Sequence, residues 1–115
     1  MVNRVVVGAH YGLRDWLLQR VTAVIMAVYS LGFLVCILPR MPLGYAGWHA
    51  WFALLPVKIL TLLFLLSLFY HAWVGVRDIF MDYIKPFGLR LVLQSGVILI
   101  LLVYALWAAD ILWSI

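Results

Sequence analysis

The stretch ILTLLFLLSLFYHAWVGV, residues 59–76, decides the fold because it carries no formal charge over its whole length. Lys58 precedes it, and Arg77 and Asp78 follow it. A helix that crosses a bilayer needs about 20 predominantly apolar residues. We therefore predict a transmembrane helix here, over about residues 56–80.

Two further uncharged runs lie on either side of this one. The first, residues 21–38, stops before Pro39 and Pro42, which cannot donate helical hydrogen bonds. The second, residues 91–109, is closed by Asp110. Each run has the length of a membrane span.

Breaks between the runs define the predicted organisation. Pro86 and Gly88 are expected to end the second span and separate it from the third, whereas residues 39–56 read as a loop. The sequence thus predicts a single membrane anchor domain over residues 1–115, all-α, with spans at about residues 15–38, 56–80 and 89–113.

Composition supports an integral membrane protein and excludes a soluble catalyst. Hydrophobic residues make up 69% of the chain and charged residues only 10%, whereas a soluble domain carries about 25% charged residues. The single cysteine, Cys36, lies within a span and excludes a disulfide inside the chain. No C-x-x-C-H motif for covalent haem attachment occurs.

The distribution of basic residues predicts the orientation. Two, Arg40 and Lys58, lie on one side of the predicted spans, and the other six lie on the opposite side, where the positive-inside rule places the cytoplasm. The N-terminus is therefore expected in the cytoplasm. The position of these residues at the membrane edge explains the formal net charge of +4. Membrane lipid is therefore an expected partner, and nucleic acid is not. The six are Arg4, Arg14, Arg20, Arg77, Lys85 and Arg90.

Polar residues in the second span point to a function. Ser67, His71, Gly75, Asp78 and Asp82 project within about 80° of one another on a helix with 3.6 residues per turn. An ionisable residue inside the membrane is costly and usually functional. Neutral imidazole is a common axial ligand of haem iron, and a glycine one turn beyond His71 leaves room for a flat group.

The alternative is that His71 only hydrogen-bonds a neighbouring helix and that the small residues of this stripe serve helix packing. His10 and His49 lie in terminal and loop segments, where a solvated surface role is expected. Position alone leaves the ligand and packing roles of His71 both open.

The segment HAWVGVRDIFMDYIKP, residues 71–86, resembles the His-Ala-Trp-x-Gly and Asp-Tyr-x-Lys-Pro motifs of the succinate dehydrogenase hydrophobic membrane anchor, the smaller of the two anchors in bacterial respiratory complex II. The spacing matches residue for residue. RVTAV at residues 20–24, Asp15, and LRL at residues 89–91 extend the resemblance to roughly residues 14–113.

The resemblance implies a haem b shared with a second three-helix anchor, which is a separate chain of the complex. His71 matches the family's axial ligand to the haem iron, and the other axial histidine comes from the second anchor. Arg20 is then placed to bind a haem propionate and Gly75 to pack against the haem. The alternative for Arg20 is snorkelling to the lipid headgroups.

The resemblance also implies a quinone site at Asp82 and Tyr83. In the family, the tyrosine donates its hydroxyl to a carbonyl of ubiquinone, the substrate, and the aspartate serves the site and its proton supply. Without the motif, Tyr83 reads as an interfacial aromatic residue and Asp82 as a helix-end carboxylate.

The function implied is the membrane anchor and cytochrome b subunit of a succinate:quinone oxidoreductase in the bacterial inner membrane, non-catalytic alone. Its partners are the second anchor, an iron–sulfur protein and a flavoprotein. Two alternatives stay open, the anchor subunit of a fumarate reductase and a haem-free structural assembly subunit. A small multidrug-type transporter is disfavoured because Asp78 and Asp82 lie at the membrane edge.

Overall fold

The computed structural model describes the backbone of residues 6–115 and the side chains of residues 12–115. Within that part of the chain, short connections join four α-helices, and there is no strand. The predicted all-α fold is therefore confirmed. The elements are α1 (Val6–Ile37), a single 3₁₀ turn (Leu38–Arg40), α2 (Tyr45–Ala53), α3 (Leu55–Tyr83) and α4 (Phe87–Ser114).

Three of these helical segments are long and apolar enough to cross a membrane. They are Gly12–Arg40, Leu55–Tyr83 and Phe87–Ser114, with 29, 29 and 28 residues. At 1.5 Å per residue, 28 residues reach about 42 Å, which exceeds the roughly 30 Å hydrocarbon core of a bilayer. The three-span prediction is confirmed.

Prolines mark where the helices begin, whereas the glycine predicted as a break does not. Pro56 lies in the first turn of α3, where its missing N–H leaves no hydrogen bond unmade. Pro86 is the N-cap of α4 with φ −62° and ψ 125°. Gly88, which the sequence suggested as a second break, lies inside the first turn of α4. The connection between α3 and α4 is therefore shorter than the sequence suggested.

The expected loop over residues 39–56 contains the short helix α2. Its aromatic residues pack on the first span: the ring of Phe33 stacks on Trp48 and Phe52 at centroid distances of 6.2 and 6.5 Å. His49 is exposed, as expected for a surface histidine, but lies on α2 rather than in a loop. The side chain of His10 lies outside the described residues.

Helix α3 is the central element, since it packs against both α1 and α4 and also contacts α2. The buried positions along it are Thr61, Ser67 and Val74. Helices in lipid gain little from burying apolar surface against each other and associate through close packing and hydrogen bonds instead. Buried small polar residues on α3 are consistent with that rule.

One such hydrogen bond joins α1 to α3. The hydroxyls of Tyr29 and Thr61 lie 2.6 Å apart, and the Tyr29 ring stacks on Phe64 with centroids 4.6 Å apart. Thr61 is 8% exposed, so this is a hydrogen bond largely excluded from the surroundings of the chain.

Candidate functional site

A group of polar side chains lies between α1 and α3, and we call it the α1–α3 polar cluster. It comprises Asp15, Gln19 and Thr22 on α1 and His71 and Arg77 on α3. On a helix, the three α1 residues project within about 60° of one another. The cluster therefore joins one face of α1 to the helix that carries the predicted ligand.

His71 is held by hydrogen bonds at its ring and at its backbone. The Nδ1 atom of the ring lies 3.1 Å from Thr22 Oγ1. The amide of Gln19 donates a longer hydrogen bond, 3.4 Å, to the backbone carbonyl of His71. Within the described part of the chain, Nε2 of the ring has no hydrogen bond, so it is the nitrogen that can bind another group.

Gly75, one turn beyond His71, faces open space. A Cβ atom added there meets no atom of the described chain within 4 Å apart from its sequence neighbours and the backbone of its own helix. Of the predicted stripe, Ser67 is buried inside the chain, whereas Asp78 and Asp82 are exposed. The surface beside His71 that is open to a flat ligand is therefore the turn at Gly75.

Arg77 and Asp15 form an ion pair that joins α3 to α1. Both side chains are only 25% exposed. A second carboxylate, Asp78, lies 3.7 Å from the same guanidinium group and is 63% exposed. The pair with Asp15 is the closer and the more buried of the two, so it is the stronger link between the helices.

Arg20 points along α1 rather than across to α3. Its guanidinium carbon lies 4.7 Å from the centroid of the Trp16 ring, one turn earlier on the same helix. Both side chains are exposed in this chain. Such a cation–π contact leaves the N–H donors at the edge of the guanidinium plane able to bind an anionic group.

Asp82 and Tyr83 lie at the C-terminal end of α3. Both are exposed, and Tyr83 is 77% exposed. Twelve residues separate Tyr83 from His71, which corresponds to about 18 Å along the helix axis. A ligand at Tyr83 and one at His71 therefore occupy different levels of the same helix.

Comparison of the sequence with known proteins identifies the family of this chain. Residues 3–109 match the family model described as succinate dehydrogenase/fumarate reductase transmembrane subunit. The chain belongs to this family. It is also 42% identical over 102 residues to the succinate dehydrogenase hydrophobic membrane anchor subunit of Coxiella burnetii (strain RSA 493 / Nine Mile phase I), an alignment that covers 89% of each chain.

The membership gives the coarse function of this transmembrane subunit. It is a multi-pass membrane anchor of the succinate dehydrogenase/fumarate reductase family, and it works with the other subunits of such a complex. The resemblance drawn from the motifs at residues 71–86 is confirmed.

Sequence reasoning missed how the transmembrane subunit holds His71. The sequence analysis predicted neither Thr22 and Gln19 nor the Asp15–Arg77 pair near His71. A signal was present, because Asp15, Gln19 and Thr22 form a polar stripe at helical spacing on α1, opposite the predicted stripe on α3. Two polar stripes on adjacent membrane helices indicate that the stripes face each other.

Proposed function

We propose that this chain is the small anchor and cytochrome b subunit of a succinate:quinone oxidoreductase, that His71 binds the iron of a haem b, and that Tyr83 and Asp82 serve the quinone-reduction site. The observation that carries the proposal is the half-buried His71 ring, tethered at Nδ1 and without a hydrogen bond at Nε2 within residues 12–115. Family membership supplies the setting.

The residues at this position fit a haem. Imidazole is a common axial ligand, and its second nitrogen usually donates to an acceptor that fixes the ring orientation. Here Thr22 Oγ1, 3.1 Å from Nδ1, is an oxygen that can accept such a bond. The open turn at Gly75 provides a surface on which a planar ring can pack. Among residues 12–115, no three His, Cys, Asp or Glu side chains form a group that could hold a metal.

Each residue then has a defined task toward the haem. His71 would supply one nitrogen ligand to the haem iron, and a histidine of the second anchor would supply another. Arg20 offers its donors to a propionate as charge-assisted hydrogen bonds. Gly75 leaves the helix surface free for the ring. When bound, the haem b supplies a one-electron redox centre between the two anchors.

The quinone site is proposed at the cytoplasmic end of α3. Reducing ubiquinone to ubiquinol takes two electrons, which come from succinate through the flavoprotein and the iron–sulfur protein, and two protons from the cytoplasm. The Tyr83 hydroxyl donates a hydrogen bond to one quinone carbonyl and polarises it. The Asp82 carboxylate, exposed beside it, relays protons from water.

The proposed setting is a bacterial inner membrane with the N-terminus in the cytoplasm. The basic residues Arg77, Lys85 and Arg90 flank the α3–α4 connection, so that connection lies on the cytoplasmic side as well. This orientation puts Asp82 and Tyr83 on the side where the flavoprotein and the iron–sulfur protein dock and where the protons are taken up.

A fumarate reductase anchor is the second candidate, because the matched family model covers both enzymes. The same residues would then serve quinol oxidation, with the two electrons passing from quinol to fumarate. The ratio of the succinate-oxidising to the fumarate-reducing rate of the purified complex distinguishes the two. We favour the succinate direction because the relative from Coxiella burnetii is named for it.

Spectra of membranes test the proposal. The chain is co-expressed with its three partner proteins as wild type, His71→Ala and Tyr83→Phe, and reduced-minus-oxidised spectra and succinate:quinone activity are recorded. We expect His71→Ala to alter or abolish the b-type signal. Tyr83→Phe should keep that signal and lose quinone reduction.

Two outcomes contradict the proposal in different ways. A wild-type complex without a b-type signal makes the chain a structural anchor whose α3 stripe only packs helices. A Tyr83→Phe complex with unchanged quinone reduction removes Tyr83 from the quinone site and leaves the haem assignment intact. Succinate oxidation by a soluble dye, which bypasses the anchor, is the control for an intact flavoprotein and iron–sulfur protein.

A further inference from the structure

Thr22 is one of only three polar side chains buried inside the described part of the chain, at 7% exposure. Its hydroxyl oxygen has three polar neighbours. Oγ1 lies 2.8 Å from the carbonyl oxygen of Leu18, 3.1 Å from that of Gln19 and 3.1 Å from Nδ1 of His71. A hydroxyl has one hydrogen to donate, so these contacts cannot all be donated by Thr22.

The contact with Leu18 decides where that hydrogen goes. A carbonyl oxygen only accepts, and 2.8 Å is the usual separation of an O–H···O hydrogen bond. Without a hydrogen between them, the two oxygens would repel each other at this distance. Threonine commonly donates to the carbonyl four residues earlier in a helix. The single hydrogen of Thr22 therefore lies toward the carbonyl groups of α1.

The ring of His71 must then be the donor in the contact with Thr22. Its Nδ1 carries the hydrogen and donates to a lone pair of Oγ1. In neutral imidazole, a hydrogen on Nδ1 leaves Nε2 with its lone pair. Which ring nitrogen binds a metal is set by the hydrogen bond that the other nitrogen makes.

We propose that Thr22 is a positioning residue that selects the Nδ1–H tautomer of His71 and thereby presents the Nε2 lone pair to the haem iron. The inference rests on the proposed role of His71 as the haem ligand. Gln19 supports the same arrangement from the backbone side, since its amide donates to the carbonyl of His71. Both ties come from one turn of α1, so α1 orients a ligand that α3 carries.

The test removes the hydroxyl and keeps the shape. Thr22→Val is nearly isosteric, Thr22→Ala removes the hydroxyl without an added methyl group, and Thr22→Ser retains the hydroxyl. Thr61→Val is the matched control, because Thr61 is also buried in the α1–α3 contact and hydrogen-bonds across it, to Tyr29, without touching His71. All are studied in the complete complex, with its three partner proteins present.

Haem content, the electron paramagnetic resonance spectrum of the ferric haem and its midpoint potential are measured. Removing the group that hydrogen-bonds the other ring nitrogen of a metal-binding histidine weakens metal binding by about 10- to 100-fold. Thr22→Val should therefore lose haem during purification or dialysis. The hydrogen bond makes the imidazole more basic and favours ferric iron. A tenfold loss of that preference raises the midpoint potential by about 59 mV for one electron. Thr22→Ser and Thr61→Val should match the wild type.

Each result has one meaning. If Thr22→Val and Thr22→Ala both retain the wild-type affinity, resonance spectrum and potential, while His71→Ala loses the haem, the positioning role is wrong and the proposed function stands. If His71→Ala itself keeps the wild-type signal, the proposed function fails. If Thr61→Val shifts the potential as much as Thr22→Val, the effect is one of general packing and the inference is overturned. Should Thr22→Val not assemble, Thr22→Ala supplies the same readouts.

Discussion

Replacing Asp15 by asparagine removes the negative charge that pairs with Arg77 between α1 and α3. The substitution keeps the size of the side chain and leaves the guanidinium group where it is. In the described chain, Arg77 Nε is already buried without a hydrogen-bond partner. The remaining carboxylate, Asp78, lies 3.7 Å from the guanidinium group and is 63% exposed, so it replaces the lost charge only in part. We expect the complex to be destabilised and α1 to loosen from α3.

The magnitude follows from the burial of the pair. At about 2.8 Å and an effective dielectric constant of about 20, two opposite charges attract by about 6 kcal/mol before the cost of desolvation is subtracted. Removing one partner costs about 3–5 kcal/mol in a buried pair, whereas an exposed pair contributes about 0–1 kcal/mol. Because each side chain is 25% exposed, we expect a loss of about 2 kcal/mol.

Titration of the detergent-solubilised complex with SDS gives the free energy of unfolding for this variant and for its controls. Asp78→Asn removes a carboxylate 3.7 Å from the same guanidinium group but 63% exposed, and should cost about 0.5 kcal/mol or less. The double variant Asp15→Asn with Arg77→Gln should be at least about 1 kcal/mol more stable than the sum of the single losses. Equal effects of Asp15→Asn and Asp78→Asn, or strictly additive losses, would refute the reasoning.

Three further predictions concern other residues of the same helices. Tyr29→Phe removes the 2.6 Å hydrogen bond to Thr61 and should cost about 1 kcal/mol in the same SDS titration. Gly75→Leu should leave the fold of this chain intact, because an added Cβ meets no atom within 4 Å apart from its sequence neighbours and its own helical backbone, but lower the haem content of the purified complex. Asp82→Asn should lower kcat for quinone reduction by about 100-fold with little change in KM, as expected for a proton relay, measured by steady-state kinetics.

The three spans were predictable because lipid imposes one rule along the whole chain. Every backbone polar group in the hydrocarbon must be paired within the segment, so a long uncharged run becomes a helix. The helix ends could be predicted from the prolines almost as well as the spans from the uncharged runs. Pro86 ends the preceding helix through its own geometry, whereas Gly88 is simply tolerated in the first turn of α4.

Helix α2 was not predictable from the same rule. It is short, it lacks a side-chain cap hydrogen bond at its N-terminus, and helices of nine residues are marginal by themselves. Its partner is the aromatic surface at Phe33 on α1, which its Trp48 and Phe52 reach. A contact between segments this far apart depends on how the chain folds back, and local sequence does not encode that.

The position of His71 could be predicted, but its surroundings could not. The motif at residues 71–86 identified the residue through family resemblance. Which side chain lies against Nδ1 depends on the rotation of α1 about its axis and on its height relative to α3. Hydropathy fixes neither quantity, and for this reason Thr22 was missed although it lies only two residues from Arg20, which was considered.

The spacing of the ties along α1 explains why a threonine suffices at this point. Three residues of α1 that bond side chains of α3 lie seven residues apart: Asp15, Thr22 and Tyr29. Their partners Arg77, His71 and Thr61 follow one another along α3 in antiparallel order. Residues seven apart on a helix point in directions that differ by only about 20°, so the three α1 side chains lie on one face of the helix, toward α3. The outer two are the more costly to lose, one being an ion pair and the other a hydrogen bond backed by an aromatic stack. The Asp15–Arg77 ion pair, two turns from Thr22 along α1, fixes how α1 lies against α3, and with the helices so placed a single hydroxyl is enough to orient the histidine.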